Sequence, residues 1–364
     1  MRYHEIDGIR GFAALAVLFC HMIVTPFGHL EPILNPGFLL INGTLAVQIF
    51  FVLSGDALSA RFFATGDYHV VDRLLIKRYF RLTFLIFISS LCIFALKFFD
   101  LDFHLVAARQ TNNELLAAYL PQAPDFDAML NYALAGVYVN YPFNSDADFY
   151  ASLPTAYNPV FWSMALELSG SLLIFLFLYA YPRLKNPHSI LLFLCGCSFL
   201  LFTSYAGFFL GLYFGYCRHQ GKLDSWQNSK RWQHISMLIL IGLTAVSGLL
   251  FSHLGRGAIV LLAALFVFLF YTNNAFLRLF RGPFARWLGA LSFPLYAIHF
   301  AVLISATSVM IVWSVDHGGL TPLRMAAISS SSIVLSLMLA FLVQRIEAPY
   351  LRFIDKIATF ALKR

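Results

Sequence analysis

The chain has 364 residues, of which 60% are hydrophobic and only 12% are charged, and its net charge is +7. Soluble domains average about 45–50% apolar and about 25% charged residues. So few charges cannot cover a globule of this size, which excludes a water-soluble enzyme, a disordered chain and a secreted disulfide scaffold. The composition indicates a multi-pass membrane protein in a lipid bilayer.

Apolar runs separated by polar breaks predict the helices, since a membrane-spanning helix needs about 20 largely apolar residues. We therefore expect an all-α integral membrane protein, a single domain over 1–364 with about ten spans. In chain order these cover 8–24, 38–58, 82–99, 159–181, 189–204, 205–217, 234–251, 257–271, 288–313 and 323–346. The stretch 189–217 also fits one long tilted helix.

The basic residues are distributed unevenly across this arrangement. Of 25 Lys and Arg residues, only Lys97, Arg109, Arg256 and Arg324 lie on one side, and the other 21 lie on the opposite side or in the termini. Basic residues concentrate in cytoplasmic loops. We therefore expect both termini in the cytoplasm, and the positive net charge gives no reason to expect a nucleic-acid partner.

The longest polar stretch, 100–158, is then exoplasmic. Its apolar piece 129–139 is too short to cross a bilayer and predicts an interfacial or membrane-dipping helix. Tyrosines lie among carboxylates here, and together they could form a shelf for a sugar. Alternatively, the tyrosines form an interfacial aromatic belt. The tyrosines are Tyr132, Tyr138, Tyr141, Tyr150 and Tyr157, and the acids include Asp125, Asp127, Asp146 and Asp148.

The first span carries an arginine and a histidine, and ionisable side chains at membrane depth are functional hypotheses by default. Arg10 and His21 are 11 residues apart, which corresponds to three helical turns plus about 20°. Both therefore lie on one face, about 16 Å apart along the axis, with Arg10 at the cytoplasmic mouth. An arginine suits an anion and a histidine suits proton transfer.

Two further ionisable residues lie at a depth similar to that of His21. Glu167 is about 13 Å into its span and His299 is about 16 Å into its own. Three helices could thus bring His21, Glu167 and His299 together as a catalytic group. The alternative is a polar cluster that only holds helices together.

A basic run, Lys77-Arg78-Tyr79-Phe80-Arg81, opens the third span next to the same mouth as Arg10. Arg78 and Arg81 are three residues apart and share a helix face. Clustered guanidinium groups are suited to phosphates, such as those of coenzyme A. The preference of basic residues for the cytoplasmic side explains some of these charges as well. All five cysteines lie in apolar runs, where packing is the simpler explanation, and no metal site is expected.

Six motifs in this order resemble the acyltransferase-3 family of integral-membrane O-acyltransferases, over essentially the whole chain. They are Asp7-Gly8-Ile9-Arg10-Gly11 followed by His21, the run Phe50-Phe51-Val52-Leu53-Ser54-Gly55, the basic entry at 77–81, Trp162-Ser163 with Glu167, Ser292-Phe293-Pro294-Leu295-Tyr296-Ala297-Ile298-His299, and Glu347-Ala348-Pro349. Asp56 departs from the family, which more often has an aromatic or aliphatic residue at that place.

The resemblance implies an acyltransferase of the bacterial inner membrane that needs no metal. Its donor would be a cytoplasmic acyl-coenzyme A, most often acetyl-CoA. Its acceptor would be a hydroxyl of an exoplasmic or lipid-linked carbohydrate, as in polysaccharide O-acetylation.

The resemblance also implies roles for particular residues. Arg10, Ser54, Arg78 and Arg81 would hold the donor, and Asp56, Tyr157 and Trp162 would contact the acceptor. His21 would act as a general base or as an acyl relay, assisted by Glu167 or His299.

Two other classes remain open on the sequence. A proton-coupled secondary transporter would use the buried histidine and glutamate as a proton relay, although we find no repeated halves in the sequence. A membrane sensor or scaffold would carry out no turnover. Release of coenzyme A from a thioester in the presence of an acceptor separates the enzyme from both.

Overall fold

The computed structural model describes residues 3–30, 39–119, 123–139, 156–201, 203–250 and 254–362, and every regular element in these ranges is helical. The longer helices are α1 (His4–Phe19), α2 (Gly43–Thr65), α3 (Tyr68–Phe98), α4 (His104–Thr111), α5 (Trp162–Ala180), α6 (Pro187–Leu201), α7 (Thr203–His219), α8 (Lys230–Leu250), α9 (Arg256–Thr272), α10 (Asn274–Arg281), α11 (Pro283–Val302), α12 (Ser308–Asp316) and α13 (Pro322–Ala361).

Several of these helices can cross a bilayer, which establishes a multi-pass membrane protein. Six helical segments of the described chain are long and apolar enough, and a seventh span results if α9 and α10, bent by 88°, count as one. The six are His4–Phe27, Gly43–Thr65, Tyr68–Phe98, Pro159–Arg183, Pro283–Asp316 and Pro322–Ala361. The other predicted spans fall on α6, α7 and α8, which do not meet this criterion, so the count of ten stays a prediction.

Helices α2 and α7 approach each other closely because α7 presents glycines along one face. A Cβ atom on Gly211 would lie 1.8 Å from the carbonyl oxygen of Val52, and one on Gly55 would lie 1.9 Å from that of Phe208. Gly207 and Gly215 extend the face at four-residue intervals, the spacing that lets membrane helices pack backbone to backbone. The contact fixes the position of Ser54 and Asp56, which lie on α2.

Helices α1 and α11 meet in the same way. A Cβ atom on Gly11 would lie 2.6 Å from the backbone nitrogen of Gly289, and one on Gly289 would lie 2.2 Å from the carbonyl oxygen of Asp7. The glycines of the opening motif are therefore packing residues. They place the helix of Arg10 against the helix of His299.

Two prolines, each five residues from His21 or His299, leave backbone carbonyls without their helical hydrogen bond, and side chains of α13 donate to these carbonyls instead. Pro294 lacks the N–H that would bond to Ala290, and the side chain of Gln344 donates to the Ala290 carbonyl at 3.2 Å. Pro26 likewise lacks the N–H that would bond to Met22, whose carbonyl accepts from Ser329 Oγ at 2.9 Å. Gln344 and Ser329 both lie on α13, which thus supports both histidine-bearing segments.

The predicted interfacial segment is helical, as Phe126–Asn131, a π-helical turn Tyr132–Gly136 and Val137–Val139. Part of the exoplasmic stretch expected at 100–158 lies outside the described residues. This part includes Tyr141, Asp146, Asp148 and Tyr150.

Candidate functional site

A cavity of about 100 Å³ lies among α1, α2, α3, α5 and α11, and cationic side chains line it. Arg10, Arg78 and Arg81 come from α1 and α3, which begin at the same end of the bundle, and Ser54 and Glu167 face them from α2 and α5. All four residues expected to hold the donor therefore lie on one cavity. Its apolar lining includes Val47, Phe50, Phe51, Leu82, Met164 and Phe293.

The polar groups of this cavity form one network around Glu167. One carboxylate oxygen of Glu167 accepts from Ser54 Oγ at 2.7 Å, and the other is ion-paired with Arg78. Arg10 lies 3.3 Å from Ser54 Oγ and 3.4 Å from the Leu53 carbonyl. The Nε–H of Arg78 is buried and has no hydrogen-bond partner in the described part of the chain. A buried, unsatisfied donor on a cation can bind an anion.

His21 and His299 form a second polar group deeper in the bundle. His21 Nδ1 lies 2.7 Å from His299 Nε2, and the two rings are nearly parallel, with centroids 5.0 Å apart. His21 lies in a π-helical turn, Cys20–Val24, that continues α1. Such wide turns recur at functional sites. Of the three residues expected to meet, only His21 and His299 are in contact. The two carboxylate oxygens of Glu167 are bonded to Ser54 and Arg78 instead.

The hydrogen bonds of His299 determine which nitrogen of His21 keeps a lone pair. His299 Nδ1 lies 2.9 Å from the carbonyl of Leu295, and because a carbonyl can only accept, Nδ1 carries the proton. In neutral His299 the Nε2 atom is then an acceptor, so His21 Nδ1–H donates to it. His21 Nε2 is left with its lone pair, which is what a general base or a nucleophile requires.

Asp56 lies in a separate cluster at the end of the bundle where α1 begins. Its side chain is fully buried, is ion-paired with Arg218 and accepts from the Tyr271 hydroxyl at 2.6 Å. The Arg218 guanidinium lies between the rings of Tyr3 and Tyr271, 4.4 and 4.5 Å from their centroids. Asp56 does not line the arginine cavity. The expectation that it contacts the acceptor is therefore not supported by its position.

The two aromatic residues expected at the acceptor lie near the start of α5. Tyr157 is buried, and its hydroxyl donates to the Asp125 carbonyl at 2.6 Å and accepts from the Asp125 N–H at 3.0 Å. Burial raises the pKa of this phenol. These bonds tie Tyr157 to the start of the helix Phe126–Asn131 rather than presenting it to a ligand. Trp162 is partly buried and precedes Ser163, which lines the cavity.

A polar contact that the sequence reading did not single out holds α11 in place. Asn158, fully buried, donates to Ser89 Oγ at 2.9 Å and to the Ala297 carbonyl at 3.3 Å, and Ser89 Oγ donates to the same carbonyl at 2.6 Å. Ala297 lies between Tyr296 and His299. Only a three-dimensional contact identifies these residues, because serine and asparagine are common in helix caps and turns.

The fold and the site define a class: a multi-pass helical membrane protein with an arginine-lined cavity and a paired histidine behind it. The family model described as an acyltransferase domain, acyltransferase-3, matches residues 3–341. Because this match covers nearly the whole chain, the protein belongs to that family of acyltransferases. No curated protein and no solved structure matches the chain.

Proposed function

We propose that the protein transfers an acyl group, most simply acetyl, from cytoplasmic acyl-coenzyme A to a hydroxyl of an exoplasmic or lipid-linked carbohydrate. Family membership supports acyl transfer in a membrane. The observation that carries the specific proposal is the hydrogen-bond series from His21 through His299 to the Leu295 carbonyl, which leaves His21 Nε2 with a lone pair that can accept a proton.

The donor is held through its phosphates by Arg10, Arg78 and Arg81, with Ser54 beside them. Guanidinium groups bind phosphate in bidentate fashion, and the unsatisfied Nε–H of Arg78 supports this role. Glu167 orients Arg78 and balances its charge before the donor arrives.

Space for the rest of the donor lies towards the end of the bundle that we assign to the cytoplasm. A larger cavity of about 630 Å³ is lined by Asp7, Ala57 and Lys77, each three or four residues, or about one turn, from Arg10, Ser54 and Arg81. Three acids and three strong bases line it, with Asp355 ion-paired to both Arg73 and Lys77. In this proposal the nucleotide end of the donor lies in this space.

His21 acts on the acceptor. Its Nε2 takes the proton of the acceptor hydroxyl as the oxygen attacks the thioester carbonyl. The carbon–sulfur bond then breaks, and the coenzyme A thiolate takes the proton from the imidazolium. His299 stabilises the imidazolium through the Nδ1–H bond and keeps the His21 ring in the required tautomer.

The topology that fits this reaction has ten spans with both termini in the cytoplasm, in a bacterial inner membrane. The unequal distribution of Lys and Arg supports it. So do contacts that gather charged residues at one end of the bundle, such as Glu5 with Arg281 and Asp355 with Arg73. This arrangement gives the donor cavities access to cytoplasmic acyl-coenzyme A.

The first prediction concerns His21. His21→Ala should reduce acceptor-dependent release of coenzyme A by at least about 100-fold, the lower end of what a positioned general base contributes. The measurement is thiol release from acetyl-CoA by the purified full chain in lipid nanodiscs, with a hydroxylated glycan as acceptor. His317→Ala, at an exposed histidine after α12, is the matched control and should keep the rate of the unchanged protein.

Turnover retained in folded His21→Ala would contradict the role of His21. A chain that never releases coenzyme A but moves protons across vesicles in response to a solute would instead be a proton-coupled transporter, and would overturn the proposed function.

A further inference from the structure

Tyr296 lies between the arginine cavity and the histidine pair. It lines the cavity, as do Ser292 and Phe293 earlier on α11. Its ring centroid is 6.0 Å from that of His299, which is one turn further along the helix. Neither His21 nor His299 is among the residues that line the cavity. The ring of Tyr296 therefore separates the two polar groups.

Neighbouring aromatic rings pack against this tyrosine. Phe50, which also lines the cavity, has its ring centroid 6.5 Å from that of Tyr296, and the ring centroid of Phe161 lies 6.0 Å away. Only 6% of the surface of Tyr296 is exposed. The packed rings leave little free space around Tyr296, between the cavity and His299.

Two hydrogen bonds hold the Tyr296 hydroxyl in this closed position. It donates to the Val160 carbonyl, and it lies 2.9 Å from Ser163 Oγ. A phenol has one proton, which the carbonyl takes, so the serine must be the donor in the second bond. Both partners come from the start of α5, which also carries Glu167 of the arginine network.

The proposed reaction needs a passage at this point. Reacting atoms must approach to about 3–3.5 Å, so the thioester carbonyl of a donor whose phosphates the arginines hold has to come next to His21 Nε2. We infer that Tyr296 is a positioning residue: its tethered ring closes the donor cavity from the histidine pair and swings aside to admit the acyl group. This inference rests on the proposed function. It adds that Tyr296 limits hydrolysis of the donor thioester by water when no acceptor is bound.

The second prediction tests the tether without removing the ring. Tyr296→Phe loses both hydroxyl bonds and keeps the aromatic partition, so the open position becomes more populated. We expect release of coenzyme A from acetyl-CoA without acceptor, by hydrolysis, to rise at least about fivefold, the factor that corresponds to the loss of one neutral hydrogen bond. The KM for the donor should stay unchanged, because the arginines are untouched.

Tyr132→Phe is the matched control. The Tyr132 hydroxyl donates to the Asn158 carbonyl at 2.9 Å, two residues before Val160, but this tyrosine does not line the cavity. Its replacement should leave acceptor-free hydrolysis as in the unchanged protein. An equal rise in both variants, or no rise in Tyr296→Phe, would overturn the inference.

A second measurement does not depend on turnover. Diethyl pyrocarbonate labels accessible imidazoles, and mass spectrometry of the peptides that contain His21 and His299 quantifies it. Labelling should rise in Tyr296→Phe relative to Tyr132→Phe, and equal labelling in the two would count against the partition. A rise in labelling in a protein that never releases coenzyme A would instead mean that the partition is real and that the proposed function is wrong.

Discussion

At the scale of single residues, the same chemistry has different roles at different depths. Asp56 and Glu167 are both carboxylates paired with arginines. Glu167 lines a cavity beside Arg78, whereas Asp56 is fully buried against Arg218 and Tyr271 and does not line that cavity. A buried ion pair adds little net stability to a protein, because burying the two charges costs about as much as their attraction gains. Removing only one partner is strongly destabilising, because it leaves the other charge buried and uncompensated.

The third prediction follows from this enclosure. Asp56→Ala leaves the Arg218 guanidinium buried without its partner and should lower the free energy of unfolding by about 3–5 kcal/mol. Asp355→Ala, whose carboxylate is 38% exposed beside Arg73, should cost at most about 1 kcal/mol. The measurement is thermal unfolding of both variants in the same detergent.

A contrary result would restore the expectation from the sequence. If Asp56→Ala unfolds like the unchanged protein but raises the KM for the acceptor, Asp56 is a substrate-binding residue rather than part of a helix-packing cluster.

At the scale of helices, glycine contacts determine the positions of the functional groups. The α2–α7 contact places the backbone of Val52 against Gly211, and Ser54 follows two residues later. The α1–α11 contact through Gly11 and Gly289 brings the helices of Arg10 and His299 together. These close approaches bring the cavity and the histidine pair near each other in the bundle.

The fourth prediction concerns Gly211. In Gly211→Ala the new Cβ would lie 1.8 Å from the Val52 carbonyl oxygen, so α2 and α7 must separate. We expect a lower unfolding temperature and, because Ser54 moves with α2, weaker binding of a non-hydrolysable acyl-coenzyme A analogue, measured by calorimetry.

Gly196→Ala on α6 is the matched control, because its Cβ would meet no atom within 4 Å. Alanine is a better helix former than glycine by about 1 kcal/mol, so this variant should unfold at the same or a slightly higher temperature. Equal loss in both variants would mean that the close approach at Gly211 carries no special weight.

At the scale of the whole molecule, the two ends of the bundle differ in charge. Helix α13 has 40 residues and is about 60 Å long, twice the thickness of a bilayer core. Its final turns therefore extend past the membrane, where Asp355 pairs with Arg73 and Lys77 of α3. The last helix thus closes the basic end of the bundle beside the proposed donor entry.

The fifth prediction tests this orientation. In a chain without its native cysteines, Thr65→Cys lies at the last residue of α2, at the basic end, and His317→Cys lies just after α12, at the other end. A membrane-impermeant maleimide added to intact spheroplasts should label only His317→Cys, because basic residues concentrate on the cytoplasmic side of membrane proteins. Lysis should expose Thr65→Cys. Labelling of Thr65→Cys before lysis would mean that the topology is the reverse of the predicted one. The donor cavity would then open away from the cytoplasm, where acyl-coenzyme A is found.

The sequence alone determined the membrane class and the helical fold, because the length of an apolar run and the lack of charge are local properties. The order of the motifs also indicated the acyltransferase family. It assigned Arg10, Ser54, Arg78 and Arg81 to one donor site at the cytoplasmic end of the bundle. Helical spacing placed His21 deep in the first span, since rotation per residue needs no partner helix.

Only the tertiary structure decided which of the buried groups meet. His299 is 278 residues from His21, yet the two rings are in contact. Glu167 instead pairs with Arg78, and Asp56 pairs with Arg218. These choices depend on how closely helices approach and on which face each one turns to its neighbour. Glycine contacts and proline-adjacent carbonyls fix that geometry, and no pattern within a single helix contains it.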